Sequence, residues 1–210
     1  MNLDFDEIDK INKDKHTTIP YEEFFGEMEL SSEEKEKRIN LAVKFEILFL
    51  FLFLTIQENS EDDIESYKEI VYEKYQEIAN EYLSVNTTPS SIRKYADFIA
   101  DSIVETTIKN SDKQYYLSTD RAMFIAENEA NTLGNYQLQL HAIKQGKRYK
   151  TWSTMNDMYV RHTHRKVDGT KIGIFDTFTV GDSKMYFPRD LSLGASAYET
   201  VNCRCVIKYS

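Results

Sequence analysis

The longest uninterrupted apolar run is Ile47-Leu-Phe-Leu-Phe-Leu-Phe-Leu54, with Lys44 and Glu46 on one side and Gln57 on the other. A run this uniform has no period of its own and would suit a strand or a buried helix. Ahead of it lies Ser31-Ser-Glu-Glu34, the spacing at which a serine and a glutamate satisfy each other's free backbone N–H groups at a helix start. With its Lys/Glu-rich lead-in, the segment predicts a helix from about Ser32 to Gln57. A helix apolar all round must be surrounded, either at the centre of a bundle or against a large protein partner. A membrane span needs about 20 apolar residues, so no stable span is expected.

Downstream, Ile64, Tyr67, Ile70, Val71, Tyr75, Ile78 and Tyr82 recur at three- and four-residue spacing and predict a second helix over 62–84. Asn86-Thr-Thr-Pro89 breaks it, and Pro89 suits the first turn of a helix over 89–109, with Ile92, Tyr95, Ala96, Ile99 and Ile103 inward. After a loop through Asn110-Ser-Asp112, Ser118-Thr-Asp120 opens a fourth helix running to Gln145. Gly134 would mark a bend in it and Gly146 its C-terminal stop. Residues 1–30 mix acids and lysines with Phe5, Tyr21, Phe24 and Phe25, and are expected to form an extended arm that docks through those aromatics.

Beyond Gly146 the pattern changes. Apolar and β-branched residues alternate with polar ones over 171–180, 185–188 and 201–209, with turns at Asp168-Gly169 and Gly181-Asp182. These predict short strands. The expected fold class is α+β: a bundle of about four long helices followed by a small C-terminal β-rich module. The divisions are an arm (1–30), a helical domain (31–118) and a terminal module (119–210).

Charge sharpens that division. Residues 1–140 carry 14 Lys and Arg against 29 Asp and Glu, whereas residues 141–210 carry 12 against 6. An acidic half repels nucleic acid; a basic half is either a solvated surface or one that approaches phosphate. With 7 Gly and 3 Pro in 210 residues the chain is poor in turn formers, as long helices require. Its start, Met1-Asn-Leu-Asp-Phe-Asp, lacks the basic segment of a secretory leader, and reducing, intracellular surroundings are expected.

Both cysteines fall in Asn202-Cys-Arg-Cys205, and two of the four histidines in Arg161-His-Thr-His164. On a strand, residues two apart share a face. His162 and His164 opposite Cys203 and Cys205 would then offer a tetrahedral N₂S₂ set for zinc. Without metal, the cysteines would be small buried side chains, and His164 would brace the Asp168-Gly169 turn. Two catalytic readings also stand: a thiol–imidazole nucleophile pair, and a metal-dependent nuclease or toxin-like effector using His164, Asp168 and Glu199, with Arg161 and Arg204 on phosphate. No recognisable oxyanion element or nucleophile motif supports either. Adjacent Glu127 and Glu129 read as solvated charge.

The order of these residues resembles the Mu F-type minor head proteins of tailed bacteriophages, the phage head morphogenesis family. The resemblance rests on Ile125-Ala126 with Glu129, Trp152 with Asp157, Arg161 with His164, Asp168-Gly169, Phe178, Pro188, and Glu199 with Asn202-Cys203-Arg204-Cys205. It covers about 120–205. Glu127-Asn-Glu129 stands where the family often has Arg-Thr-Glu, and His162 is an addition to its Arg-x-x-His. The resemblance implies a non-enzymatic virion component. It would be present in few copies, made in the host cytoplasm and built into the head, with the portal protein and capsid interior as partners. Packaged phage DNA would meet the basic module, and the protein would act in DNA ejection in some phages. It also implies structural roles: Trp152 and Phe178 as core anchors, Asp157 and Arg161 as an ion pair, His164 with Asp168 as a brace, and Asn202 with the cysteines as a closure.

Overall fold

Ser31 does cap the first long helix: its hydroxyl accepts the Glu34 N–H at 3.2 Å. The computed structural model describes residues 19–58 and 63–210. Over these it contains α1 (Ile19–Gly26), α2 (Ser32–Glu58), α3 (Ile64–Leu83), α4 (Ser90–Lys109), a 3₁₀ turn (Gln114–Leu117) and α5 (Thr119–Lys144). There follow β1 (Tyr149–Ser153), α6 (His162–Val167), β2 (Lys171–Gly173), β3 (Phe178–Val180), β4 (Ser183–Met185), α7 (Ala197–Thr200) and β5 (Val206–Tyr209). The architecture is α+β: long helices first, a small sheet-bearing module last.

Helices α2 to α5 lie where hydrophobic spacing and caps predict them. Leu41, Phe45, Leu48, Phe49, Leu52 and Phe53 of α2 are buried in one core with Tyr67, Val71 and Tyr75 of α3, Ile92, Ala96 and Ile99 of α4, and Ala122, Ala126, Ala130 and Leu133 of α5. The Phe45 and Tyr75 rings meet at 4.8 Å. Each buried leucine, isoleucine, valine or phenylalanine among them contributes roughly 1.5 to 3 kcal/mol, which is what holds α2 at the centre. By length and composition α2 could cross a membrane, because Leu41-Ala-Val43 extends the apolar window past the eight-residue run. Here 56% of that window is buried inside the bundle, most extensively against α5, while Leu54 stays exposed.

Part of the expected arm is helical rather than extended. Tyr21 and Phe25 of α1 are fully buried, and the Tyr21 hydroxyl donates to Glu46 at 2.6 Å, giving the carboxylate inside the apolar run a partner. The rest of the arm, residues 1–18, lies outside the described residues. At Gly134, where a bend was expected, α5 runs on as unbroken helix. A side chain there would overlap the Arg38 guanidinium, which is itself buried between Glu34 (2.8 Å) and Asn131.

The strands depart further from expectation. β1, not predicted as a strand, is the centre of a three-stranded antiparallel sheet, β2-β1-β5, with Trp152 opposite Ile207. The predicted strand 171–180 is two strands, split by a turn in which the Asp176 carboxylate accepts the Gly173 N–H at 3.1 Å. β3 and β4 form the hairpin whose turn was expected at Gly181-Asp182, where Gly181 has φ +59°. The strand expected over 185–188 ends at Met185: the Tyr186 N–H goes to the Asp190 carboxylate at 2.8 Å, and Arg189 has φ 69°. The last strand begins only at Val206, because Asn202 adopts φ 54°. Trp152, Phe178, Val180, Met185, Phe187, Cys203, Cys205 and Ile207 form this module's own small core, with Trp152 and Phe178 edge to face at 5.1 Å.

Candidate functional site

Helix α5 carries a polar stripe, Asn128, Asn131, Thr132, Asn135 and Gln139, at three- and four-residue spacing, and all five are buried. Its amides reach the module's irregular segments. Asn131 donates to the Cys203 carbonyl (2.8 Å), Asn135 to that of Pro188 (2.9 Å) and Gln139 to that of Ile174 (2.9 Å), while Asn128 accepts the Asn202 N–H (3.0 Å). Arg189, buried, binds the Asn128 oxygen, the Thr132 hydroxyl (3.0 Å) and the Thr200 carbonyl (2.6 Å). Loops cannot hydrogen-bond themselves fully, so a buried loop needs such partners. About 100° round α5 from this stripe, Glu129 is buried and accepts from Tyr75 and Tyr95, each at 3.0 Å. Burial raises its pKa despite nearby Arg189. It is therefore no solvated charge. Asn131, Thr132, Asn135, Gln139 and Arg189 were not singled out in the sequence, although the spacing of the asparagines is visible there.

The clamp holds a cluster of three chemically active side chains. His164 of α6, 1% exposed, points Nδ1 at Cys205 Sγ (3.3 Å) and Cys203 Sγ (3.5 Å). Its Nε2 lies 3.0 Å from Glu199 of α7, whose same oxygen accepts from Thr163 at 2.8 Å. Both cysteines are free and buried. The Trp152 indole N–H, buried without a full hydrogen bond, lies against Cys205. The Cys203 thiol is held well below its usual pKa by Cys205 and then by His164, against burial. Cys205 is pushed far up by Cys203 and by burial. Burial pulls His164 down, but the Cys203 contact, joined by Glu199, leaves it raised.

Several expected pairings are redistributed. His162 does not join His164: both sit on a short helix, where two residues are roughly 200° of turn apart, and His162 faces solvent. His164 is braced by Glu199, not Asp168, which instead accepts the Thr154 N–H at 2.7 Å. This bond, with Gly169 at φ +71° donating to the Trp152 carbonyl at 2.9 Å, fixes the Asp168-Gly169 turn on the end of β1. Asp157 pairs with Arg204 rather than Arg161, and Arg204 also reaches Glu27. Arg161 binds the Val201 carbonyl. Glu199 and Asp168 thus point to separate places, and the carboxylate set of the nuclease reading does not converge.

A small recess, lined in part by Tyr159, Arg161, Asn202, Arg204 and the three cluster residues, opens over the sulfurs. Around it Arg161 lies over the Tyr198 ring at 5.7 Å and Arg204 over the Tyr159 ring at 5.8 Å. The set offers two chemistries: a soft-metal site, or a thiolate–imidazole pair oriented by Glu199. Two sulfurs share one ring nitrogen, and both are almost fully covered, which disfavours attack on a substrate.

No curated protein and no solved structure matches the chain. A family model, phage Mu protein F like protein, matches residues 91–208. That match takes in α4, the amide clamp, the buried cluster and all but the last two residues of the module, more than half of the sequence. The chain belongs to the phage Mu protein F like family, the head morphogenesis proteins of bacteriophages.

Proposed function

We propose that this protein is a structural minor head component that docks on the portal vertex at the capsid interior through the rim of the buried cluster. The observation that carries the reading is the exposure of that rim. Met158, Tyr159 and Tyr198 are 81%, 78% and 69% exposed, on segments anchored by Arg161 and Arg204. Tyrosine and arginine on a rigid support are the residues that dominate protein interfaces. A protein partner is favoured over DNA because the module's basic surplus is partly internal: Lys150 and Arg189 are buried, with Lys150 donating to the Tyr186 carbonyl at 2.8 Å.

The test is co-purification with portal and procapsids of the wild type and of the pair Tyr159→Ala, Tyr198→Ala. The reading expects low-copy incorporation of the wild type and loss of it in the double variant, with an unchanged melting temperature. Full incorporation of the double variant overturns the docking face. A wild type absent from procapsids overturns the role itself.

A further inference from the structure

We infer that His164, Cys203 and Cys205 bind one zinc ion through Nδ1 and the two Sγ atoms, with a solvent molecule as fourth ligand. The three ligand atoms lie within 4.8 Å of one another. Tetrahedral zinc with bonds of about 2.3 Å to sulfur and about 2.0 Å to nitrogen separates S from N by roughly 3.5 Å. The Nδ1–sulfur distances of 3.3 and 3.5 Å already match, so the ion enters with small movements of the sulfurs.

The support is that of a metal ligand. Zinc-bound histidines hand their other ring nitrogen to a carboxylate, which fixes the tautomer and ring direction. Glu199 does this from 3.0 Å, and α7 is short, buried at Glu199 and Thr200, and positioned by Arg189 on the Thr200 carbonyl. Asn202, with φ 54° and its N–H held by Asn128, turns the chain into the Cys203-Arg-Cys205 segment. Asn131 fixes the Cys203 carbonyl, so the sulfurs are aimed before any ion arrives. Two thiolates and an imidazole select soft or borderline cations over magnesium and calcium. The recess above them has space of about 20 Å³, enough for a water-sized ligand. Zinc would tie α6, α7 and the approach to β5 in a module whose own core is small. His162 has no part in it.

The test uses the full chain purified without chelator. Metal analysis should find one zinc per chain, and cobalt replacing it should give thiolate-to-cobalt charge transfer with visible bands of tetrahedral intensity. Cys203→Ser, Cys205→Ser and His164→Ala should lose these bands. His162→Ala should keep them, and Glu199→Gln should weaken affinity by about 10- to 100-fold. Because variants of buried residues can fail to fold, the wild type decides. A zinc-free protein with two titratable thiols and no cobalt bands overturns the site, as does loss of metal in His162→Ala. The result is independent of whether the portal reading holds.

Discussion

Asn131 in the middle of α5 donates its side-chain amide to the backbone carbonyl of Cys203 at 2.8 Å, and its oxygen accepts from Arg38 of α2. One side chain thus registers the first long helix, the fourth, and the turn that aims both sulfurs. Asn131→Ala should cost about 2 to 3 kcal/mol in urea unfolding, since it strands the buried Cys203 carbonyl and, of the partners Glu34 and Asn131, leaves the buried Arg38 guanidinium only Glu34. Asn131→Asp keeps an acceptor for Arg38 but sets a carboxylate against the carbonyl. Hydrogen exchange at 203–209 should accelerate in both, and unchanged exchange there would refute the registering role.

Gly134→Ala sets two effects against each other. Helix propensity alone favours alanine by about 1 kcal/mol. The new methyl, however, meets the Arg38 guanidinium, which cannot swing away because Glu34 and Asn131 hold it. Displacing a buried, paired cation costs more than the propensity gain. The variant should be less stable than the wild type by about 2 kcal/mol; a rise in melting temperature would show that Arg38 has room to move.

Glu127 gives a pH signature. Burial, partly opposed by Arg189, raises its carboxyl pKa to about 7. The folded state therefore holds a proton that the unfolded chain releases nearer 4.5. Its contribution is fully present below about 4.5 and is lost as pH rises through about 7. Glu127→Gln should match the wild type below about pH 4.5, gain on it as pH rises to about 7, and hold a constant advantage of about 2 kcal/mol above that. Parallel stability–pH curves would sink the assignment.

His164→Ala should loosen the terminal module, not abolish a turnover. It removes the partner of a buried carboxylate and of two buried thiols at once, at a cost of roughly 2 to 3 kcal/mol. Near-ultraviolet circular dichroism of Trp152, whose ring lies 5.7 Å from His164, should flatten. A variant that melts and absorbs like the wild type would contradict a bracing role.

The helices were legible because each repeats its signal over many turns: Tyr67, Val71, Tyr75 and Ile78 mark one face of α3 four times over. Strands of three residues, such as Lys171–Gly173 and Ser183–Met185, are too short for alternation to register. His162-Thr-His164 carries a β-branched centre and reads as strand, yet it opens a six-residue helix, and the pair splits. The Cys–His pairing and the resemblance were visible in the residues themselves. Glu129 was misread because what removes it from water, Tyr75 and Tyr95, lies 54 and 34 positions away. Glu199 as the brace of His164 was hidden for the same reason.

The central position of α2 also has a temporal consequence. Among the described residues it is the first long helix to be synthesised, and its principal cover, α5, is made after two further helices and a loop. Throughout that interval a surface of leucine and phenylalanine stands bare, the condition under which nascent chains recruit chaperones or aggregate. Added trigger-type chaperone during synthesis should therefore raise the yield of folded protein more than any stabilising change in the terminal module.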